Sequence, residues 1–336
     1  MSFAIVFRIL LAALYALEFP RDHGSHPDAP VEWWYYTGHL SDRAGKAYGF
    51  QLTFFRVREL HLAHFAWTDV ARKRFSYEEK THLALPGIAG SSVGQLDVSN
   101  EDWSARAGPG GVHVVAASGR SGELALTLTA VKPPVAHGDA GLSRKGPGAR
   151  EYSRYVSITR MRARGTVKRG GRTDALTGTA WFDHEWSPGV LPAGVRGWDW
   201  FALQLDDGSE VMLYRMRGRD GKATPFSAGT LVPAKGAATA IRWSDVRLTE
   251  TKTWRSPRSG ATYPAGWRVV VPSIGLDVAI TPLLADQELD TAASTGVVYW
   301  EGACSVGGTR GGRPIAGRAY VELTGYKSRD VPGLAE

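Results

Sequence analysis

Residues 31–37 read VEWWYYT and residues 48–56 read YGFQLTFFR, with the segment SDRAG at residues 41–45 between them. Both runs are rich in aromatic and β-branched side chains, which favour extended strands. The segment between them contains Asp42 and Gly45, and these residue types are typical of tight turns. The two runs are therefore predicted to form a β-hairpin.

Short runs of the same kind recur along the rest of the chain, and nearly all of them are bounded by Gly, Pro, Asp or Ser. No long segment of helical periodicity separates them. Many short strands at this spacing predict an all-β fold of antiparallel barrels or sandwiches. The further predicted strands lie at residues 111–117, 123–131, 153–164, 178–186, 198–205, 210–216, 241–249, 266–271, 275–281, 297–306 and 317–323.

The two halves of the chain resemble each other, which indicates a duplication. In the first half EWW at residues 32–34 precedes QLTFFR at 51–56, and in the second WDWFALQL at 198–205 precedes VMLYR at 211–215. LTGTAW at residues 176–181 also resembles IAGRAY at 315–320. We place the boundary in the Pro- and Gly-containing segment 187–196. The predicted domains are residues 19–190 and 191–336, after an N-terminal segment at residues 1–18.

The composition is that of a folded globular protein, and its 336 residues are enough for two domains. Its net charge of +7 comes from scattered arginines without a nucleic-acid-binding motif, so we expect no nucleic-acid partner. The 12 tryptophans fill cores or line pockets for large apolar ligands. The single cysteine, Cys304, excludes an intrachain disulfide.

An apolar run at residues 9–17 is too short to span a bilayer. It is similar to the hydrophobic region of a signal peptide, which predicts a periplasmic or secreted protein. The alternative is a short amphipathic helix or strand, which leaves a cytoplasmic or membrane-peripheral location open.

Residues 181–186 read WFDHEW, and strand alternation places Trp181, Asp183 and Glu185 on one face and the even-numbered residues on the other. If the first face lines a cavity, two carboxylates and a tryptophan converge there. We favour the second face, because Phe182 and Trp186 need burial. Asp183 would then bond locally or cross the domain junction.

Three further acids stand beside tryptophans: Glu32, Asp199 and Glu301. Such an acid is either a proton donor with a raised pKa or a structural acceptor for an indole N–H group. For each acid alone the structural role is favoured. The set as a whole favours function, because burying several carboxylates together is costly.

Metal and cofactor binding are not expected. The pair His23 and His26 has a spacing that could hold a metal on a helix, but Gly24 and Pro27 argue against a helix there. His184 has acidic neighbours, but adjacent side chains on a strand point in opposite directions. No phosphate-binding or dinucleotide motif is present in the sequence.

Seven blocks of sequence resemble the bacterial AttH and carotenoid 1,2-hydratase group of double lipocalin-like proteins. They extend from residue 19 to residue 326, nearly the whole chain. The resemblance implies two tandem lipocalin-like antiparallel β-barrel domains with a pocket near their junction. The blocks are FPRDHG (19–24), EWWYYTG (32–38), GFQLTFFR (49–56), WFDHEWS (181–187), WDWF (198–201), YWEG (299–302) and VELTGY (321–326).

What the resemblance implies about function is broader. Members hydrate isolated double bonds at carotenoid ends, fungal relatives act on other terpenoid or polyketide substrates, and the AttH branch carries labels such as secreted hydrolase or transporter-associated protein. The first hypothesis is a cofactor-independent hydratase-type lyase for a hydrophobic isoprenoid-like substrate. The alternatives are a secreted or periplasmic carrier of an apolar ligand, with a membrane or ABC-transporter partner, and a secreted hydrolase.

Hydration of an unactivated alkene needs a proton donor, a stabilised cation and a base that orients water. Carboxylic acids or histidine supply the acid and base, and aromatic faces stabilise the cation. The expected catalytic residues are His184, Asp183, Glu185 and Asp199. The expected substrate-binding residues are Glu32, Trp33, Trp34, Trp186, Trp198, Trp200, Tyr214, Trp300 and Glu301.

Overall fold

The computed structural model describes residues 16–189 and 192–327. In this part of the chain nearly all regular structure is antiparallel β-strand, and the helical segments are short 3-10 turns, so the predicted all-β fold is confirmed. None of the helices in the described ranges is long and apolar enough to cross a membrane. The predicted N-terminal segment, residues 1–18, lies mostly outside the described residues.

The first large sheet contains 13 strands. Their order is β4-β3-β2-β1-β13-β12-β9-β8-β7-β6-β5, with β10 and β11 also paired to β12. The strands are β1 (Val31–Asp42), β2 (Ala47–Val57), β3 (Leu60–Asp69), β4 (Arg74–Leu83), β5 (Ala89–Ser91), β6 (Asp97–Asn100), β7 (Trp103–Ala107), β8 (His113–Gly119), β9 (Gly122–Ala130), β10 (Val135–Ala136), β11 (Leu142–Arg144), β12 (Tyr152–Arg169) and β13 (Arg172–Ser187).

This sheet curls into a nearly closed barrel. Strands β1 and β13, the first and last of this sheet along the chain, pair with each other from Val31 opposite Ser187 to Asp42 opposite Leu176. Side chains bridge the edge strand β4 to β6, where His82 Nδ1 lies 2.8 Å from Asn100 Oδ1. The barrel interior is packed with buried aromatic and aliphatic side chains, which include Trp34, Phe50, Trp103 and Phe182.

The second large sheet has the order β17-β16-β15-β14-β25-β24-β22-β21-β18, with β23 also paired to β24. Its core contains Phe201, Trp267 and Trp300. A separate two-stranded sheet joins β19 to β20. The strands are β14 (Val195–Leu205), β15 (Glu210–Gly218), β16 (Ala228–Val232), β17 (Thr239–Arg242), β18 (Arg247–Glu250), β19 (Thr253–Arg255), β20 (Thr262–Pro264), β21 (Trp267–Val271), β22 (Leu276–Pro282), β23 (Glu288–Thr291), β24 (Val297–Arg310) and β25 (Arg313–Leu323).

Four 3-10 helices occur in the described residues, at Arg21–His23, Pro109–Gly111, Trp243–Asp245 and Pro272–Ile274. The third of them corrects one predicted strand. Residues 241–249 do not form a single strand, because this turn separates β17 from β18, and these two strands occupy opposite edges of the sheet. Residues 132–150 contain β10 and β11, which pair with β12.

The outer faces of the two sheets pack against each other. Tyr35 and Trp181 from the first sheet meet Trp200, Met212 and other side chains of the second in one buried cluster. Charged groups join the sheets as well. Glu210 of β15 is fully buried, and Arg160 Nε and Lys132 Nζ lie 2.6 and 2.7 Å from its carboxylate oxygens. A buried carboxylate held by two cations fixes the relative position of these strands.

Candidate active site

A cavity of about 290 Å³ lies between the two sheets. Its walls are the outer faces of β1, β2, β3, β12 and β13 from the first sheet and of β14, β15, β24 and β25 from the second. One end is lined by aliphatic side chains such as Val57, Leu60 and Leu62. Most polar groups gather in the rest of the cavity, where aromatic rings surround them. The aromatic and histidine side chains of the lining are Trp33, Tyr35, Phe55, His64, Tyr152, Tyr155, Trp198, Trp200, Tyr214 and Tyr299.

Asp183 is the central acid on the wall formed by the first sheet. Its carboxylate accepts hydrogen bonds from Tyr155 Oη at 2.7 Å, from Trp181 Nε1 at 2.6 Å and from the hydroxyl of Ser157. Burial raises the pKa of Asp183 to about 7, although these three hydrogen bonds favour its ionised form. The charge of Glu185 contributes to the increase. Asp183 can therefore accept or release a proton near neutral pH.

A hydrogen-bonded chain connects this acid to the opposite sheet. Trp200 Nε1 donates to Tyr155 Oη at 2.8 Å, and Tyr155 donates in turn to Asp183. The Trp200 ring stands edge-on to the rings of Tyr35 and Trp181, at centroid distances of 5.3 and 5.9 Å. These contacts fix the orientation of the Asp183 carboxylate and of the aromatic rings beside it.

Glu185 is the second acid of the first-sheet wall, and it has a cationic partner. Lys145 Nζ lies 3.3 Å from Glu185 Oε2, and Ser153 Oγ donates to the same oxygen. The ammonium also faces the rings of Tyr214 and Tyr155, at 4.4 and 5.2 Å from their centroids. Burial opposes its charge, but the carboxylate of Glu185 raises the pKa of Lys145 above its ordinary value. Among the described lining residues, Lys145 is the only Lys or Arg.

The second-sheet wall presents two glutamates that have no such cationic partner in the part of the chain that the structure describes. Glu301 and Glu322 are directly opposite each other in the pairing of β24 with β25, and both line the cavity. Tyr35 Oη donates to Glu301 Oε2 at 2.9 Å. Burial, with the neighbouring Glu322, raises the pKa of Glu301 well above its usual range. Burial therefore favours the neutral, protonated form of Glu301.

Glu322 is exposed to the cavity but otherwise surrounded by protein. Burial raises its pKa to about 7, a hydrogen bond with Trp198 opposes this, and the charges of Glu185 and Asp183 on the facing wall increase it further. Acids on the two walls thus influence each other across the cavity. The arrangement can hold a proton on one wall while the other wall accepts one.

A family model described as AttH-like matches residues 11–326 of the chain. The chain belongs to the AttH-like family. The predicted resemblance to this group is thereby confirmed.

Solved structures share the fold of this AttH-like chain. A Nitrosomonas europaea protein described as an AttH is 39% identical, with a TM-score of 0.86, and the match covers 93% of this chain and 98% of that one. Kievitone hydratase from Nectria haematococca is 16% identical with a TM-score of 0.76, over 93% and 94% of the two chains. CghA, solved with Sch210972, is 14% identical with a TM-score of 0.57, over 90% of each chain. At these last two identities the similarity shows the fold alone. None of the curated proteins matches the chain.

The structure brings about half of the residues expected from the sequence into the cavity of this AttH-like protein. These residues come from five strands and share an orientation toward the junction of the sheets. They are Asp183, Glu185, Trp33, Trp198, Trp200, Tyr214 and Glu301.

The expectation that His184 and Trp186 line the cavity is wrong. Their face of β13 does point into the first barrel, as burial of Phe182 requires, but the cavity lies between the sheets and is lined by the other face. Trp186 stacks on His26 at a centroid distance of 3.7 Å. Trp34 stacks on His184 at 4.9 Å.

Three other expected residues also lie away from the cavity. Glu32 lies on the inner side of the first sheet, beside His184. Asp199 is fully buried and accepts hydrogen bonds from Arg215 Nε at 2.6 Å and Arg217 Nε at 2.9 Å, so it neutralises two arginines. Trp300 belongs to the core of the second sheet. These groups have partners that the sequence alone does not reveal.

Several lining residues were missed. Tyr35 and Tyr155 belong to aromatic strands, and alternation from Trp33 places Tyr35 on the cavity face. Glu322 lies in the block VELTGY, but its position opposite Glu301 depends on the register of β24 with β25. Lys145 follows β11 in a Gly-rich segment, and no sequence signal indicates where it points.

Proposed function

We propose that this protein is a cofactor-independent hydro-lyase that adds water to an isolated double bond of an apolar, isoprenoid-like molecule bound between the two sheets. The observation that carries the proposal is the grouping of Asp183, Glu185, Glu301 and Glu322 around one aromatic cavity, with Lys145 as their cation. Four carboxyl groups in such a place are costly unless some of them keep their protons. Acids that keep a proton at neutral pH are what alkene protonation requires.

Glu322 is the proposed general acid. Its pKa of about 7 lies close to the working pH, so the protonated form is populated and is also a capable donor. Its carboxyl transfers a proton to one alkene carbon, which leaves a carboxylate on Glu322 and a tertiary carbocation on the substrate. Glu301, whose pKa burial raises well above its usual range, holds its own proton more firmly and is not the proposed donor.

Aromatic faces stabilise the cation without bonding to it. Trp33, Tyr35, Trp198 and Trp200 all line the cavity, and a cation over an indole or phenol ring gains about 0.5–2 kcal/mol per ring. The aliphatic end near Leu60 and Leu62 accommodates the remainder of an apolar substrate. The lining therefore suits an apolar molecule whose reacting end lies among the acids.

Asp183 is the proposed base. Three hydrogen-bond donors hold its carboxylate in place, so a water molecule beside it has a fixed orientation. As the water oxygen bonds to the cation, Asp183 accepts one water proton. The substrate has then gained one hydrogen and one hydroxyl. Return of the proton from Asp183 to Glu322 through solvent restores the starting state.

The comparisons support this proposal at the level of fold. Kievitone hydratase, a hydratase by name, is similar over nearly the whole chain, but its 16% identity carries no residue assignment. The reaction is therefore argued from the cavity of this protein.

The test is to produce the full chain in a host that makes an acyclic carotenoid or isoprenoid, and to analyse the extracted lipids by mass spectrometry. The expected result is a product heavier than its precursor by one water, which takes up label from isotopically labelled water. Asp183→Asn and Glu322→Gln should each lower its rate of formation about 100-fold or more, the usual contribution of an acid or base.

The matched control is Asp277→Asn, at an exposed ion pair with Arg268 away from the cavity. It should leave product formation unchanged. Unmodified lipid bound to the purified protein, with no water-added product, would show a carrier. Product formation that survives both Asp183→Asn and Glu322→Gln would refute the assigned roles.

A further inference from the structure

Two histidines and a glutamate from different elements meet in the first sheet, apart from the cavity. His26 follows the first 3-10 helix, Glu32 is on β1, and His184 is on the inward face of β13. One ligand atom from each lies within 4.8 Å of the others. Glu32 and His184 are fully buried, and His26 is partly exposed.

The surroundings of His184 are unusual for a neutral imidazole. Its Nδ1 lies 3.0 Å from the backbone carbonyl oxygen of Asp22, and its Nε2 lies 2.9 Å from Glu32 Oε1. Both neighbours are hydrogen-bond acceptors, and a neutral imidazole carries only one N–H group. If Nδ1–H donates to the carbonyl, the lone pair of Nε2 faces a carboxylate oxygen. A cation between Nε2 and Glu32 removes this conflict.

His26 repeats the arrangement from the other side. Its Nδ1 lies 2.8 Å from the same oxygen, Glu32 Oε1, and its Nε2 lies 3.6 Å from Asp22 Oδ1. Two imidazole nitrogens thus converge on one carboxylate oxygen. Their outer nitrogens both face Asp22, one its backbone carbonyl and the other its carboxylate. Histidines that bind metals usually have such an acceptor on the outer nitrogen.

We propose that His26 Nδ1, Glu32 Oε1 and His184 Nε2 bind a divalent transition metal of the zinc type. Two imidazoles and a carboxylate are ligands that Zn²⁺ accepts, with water in a fourth, tetrahedral position. With bonds of about 2.0–2.1 Å, the ligand atoms of such a site are roughly 3.4 Å apart. The contacts of 2.8 and 2.9 Å therefore need to lengthen by only about 0.5 Å.

Charge at the site permits the metal but limits its affinity. Arg56 Nη2 lies 2.9 Å from Glu32 Oε2, the oxygen that the metal does not use, and its positive charge repels a dication. The carboxylate of Asp22 offsets this repulsion. Arg21 also contacts Asp22, but its side chain is half-exposed, so solvent screens it.

The metal would join the segment between the first 3-10 helix and β1, which carries His26, to strands β1 and β13. The ligands do not line the cavity, so its binding is independent of the proposed hydration chemistry. The inference departs from the expectation of no metal, because the ligands come from elements whose proximity the sequence does not show.

The test uses the full chain, stripped with a chelator and titrated with Co²⁺, whose visible absorption reports its coordination. The expected result is one saturable equivalent with tetrahedral bands, which Zn²⁺ displaces. Zn²⁺ should also raise the Tm. His26→Ala, at the partly exposed ligand, should abolish both effects, and Asp22→Asn should weaken binding about 10–100-fold.

The matched control is His82→Ala, at a histidine on β4 outside this cluster, which should bind Co²⁺ like the unchanged protein. Circular dichroism of each variant checks that it is folded. An unchanged spectrum on titration, or equal binding by His26→Ala, would overturn the proposal.

Discussion

Glu32 and Glu301 occupy comparable positions but have opposite properties. Each stands beside a tryptophan, Glu32 on β1 and Glu301 on β24, and they are 0% and 1% exposed. Glu32 is surrounded by Arg56 and two imidazoles, whereas Glu301 receives one hydrogen bond from Tyr35 and faces another glutamate.

The proton affinities differ accordingly. Burial raises the pKa of both groups, but hydrogen bonds with His184 and His26 hold the pKa of Glu32 well below its usual range. Within residues 16–189 and 192–327 no cation pairs with Glu301, and its pKa is well above the usual range. Burial alone therefore does not decide whether an acid can donate a proton; its partners do. Of these two glutamates, Glu32, with Arg56 as its cationic partner, lies outside the cavity, whereas Glu301, which accepts from Tyr35 and faces Glu322, lines it.

The largest expected effect is the removal of the cation beside Glu32. Arg56→Met leaves a buried carboxylate without its guanidinium, and Arg56 also donates to the backbone carbonyls of His26 and Ala29. We expect the free energy of unfolding to fall by about 3–5 kcal/mol. Urea denaturation in the presence of a chelator measures it. Arg268→Met, at an exposed ion pair, is the control and should change stability by less than about 1 kcal/mol. A loss as small as the control's would mean that the imidazoles alone hold Glu32 ionised.

A smaller effect is expected from the pH dependence of stability. Its sign follows from Asp183, whose pKa is raised in the folded chain. Asp183 has a pKa of about 7 when folded, against 3.8 for an ordinary aspartate, so between these values the folded chain holds a proton that the unfolded chain releases. Its contribution to stability is complete below pH 4 and is lost as the pH rises through 7. Asp183→Asn removes this dependence. Between pH 4 and pH 8 the free energy of unfolding of the variant, compared with that of the unchanged protein, should increase by on the order of 1–3 kcal/mol.

Denaturant unfolding at a series of pH values measures this difference, with Asp277→Asn as the exposed control. A difference that instead grows in favour of the unchanged protein as the pH rises would show that Asp183 is ionised and stabilised by its hydrogen bonds.

The smallest expected effect is that of Glu301→Gln. Because burial favours the neutral form of Glu301, the amide preserves the charge and size of that form and keeps an acceptor for Tyr35. Stability at pH 7 should change by less than about 0.5–1 kcal/mol. The same urea experiment checks this. A loss above about 2 kcal/mol would contradict the comparison, because it would mean that the ionised carboxylate is needed for stability.

Much of the fold follows from local patterns. The hairpin of β1 and β2 is confirmed because aromatic and β-branched runs flank a turn with Asp42 and Gly45, and all three signals lie within a few residues. Strands β3 to β7 were missed. The sequence of β3, LHLAHFAWTD, is buried on nearly every residue and so lacks the alternation that marks a half-buried strand.

For the site, alternation correctly predicted that residues 181–186 divide into two faces, with Asp183 opposite to His184. It could not predict which face lines a cavity. Phe182 needs burial inside the barrel, and the second sheet buries the other face equally well. Both faces of β13 are therefore covered, and hydrophobicity does not distinguish them.

The sequence by itself determined the hairpin of β1 and β2 and many of the other strands, the all-β class, the membership of the AttH-like family and the aromatic, acidic character of the site, because these depend on local periodicity and on residue identity. Only the tertiary structure decided which acids share a cavity and which have a cation. Glu322 meets Glu301 through strand register, and Asp183 meets Trp200 through Tyr155 when the sheets pack. These neighbours are far apart in the chain, and an acid's protonation depends on the charges and dipoles within a few ångströms of it.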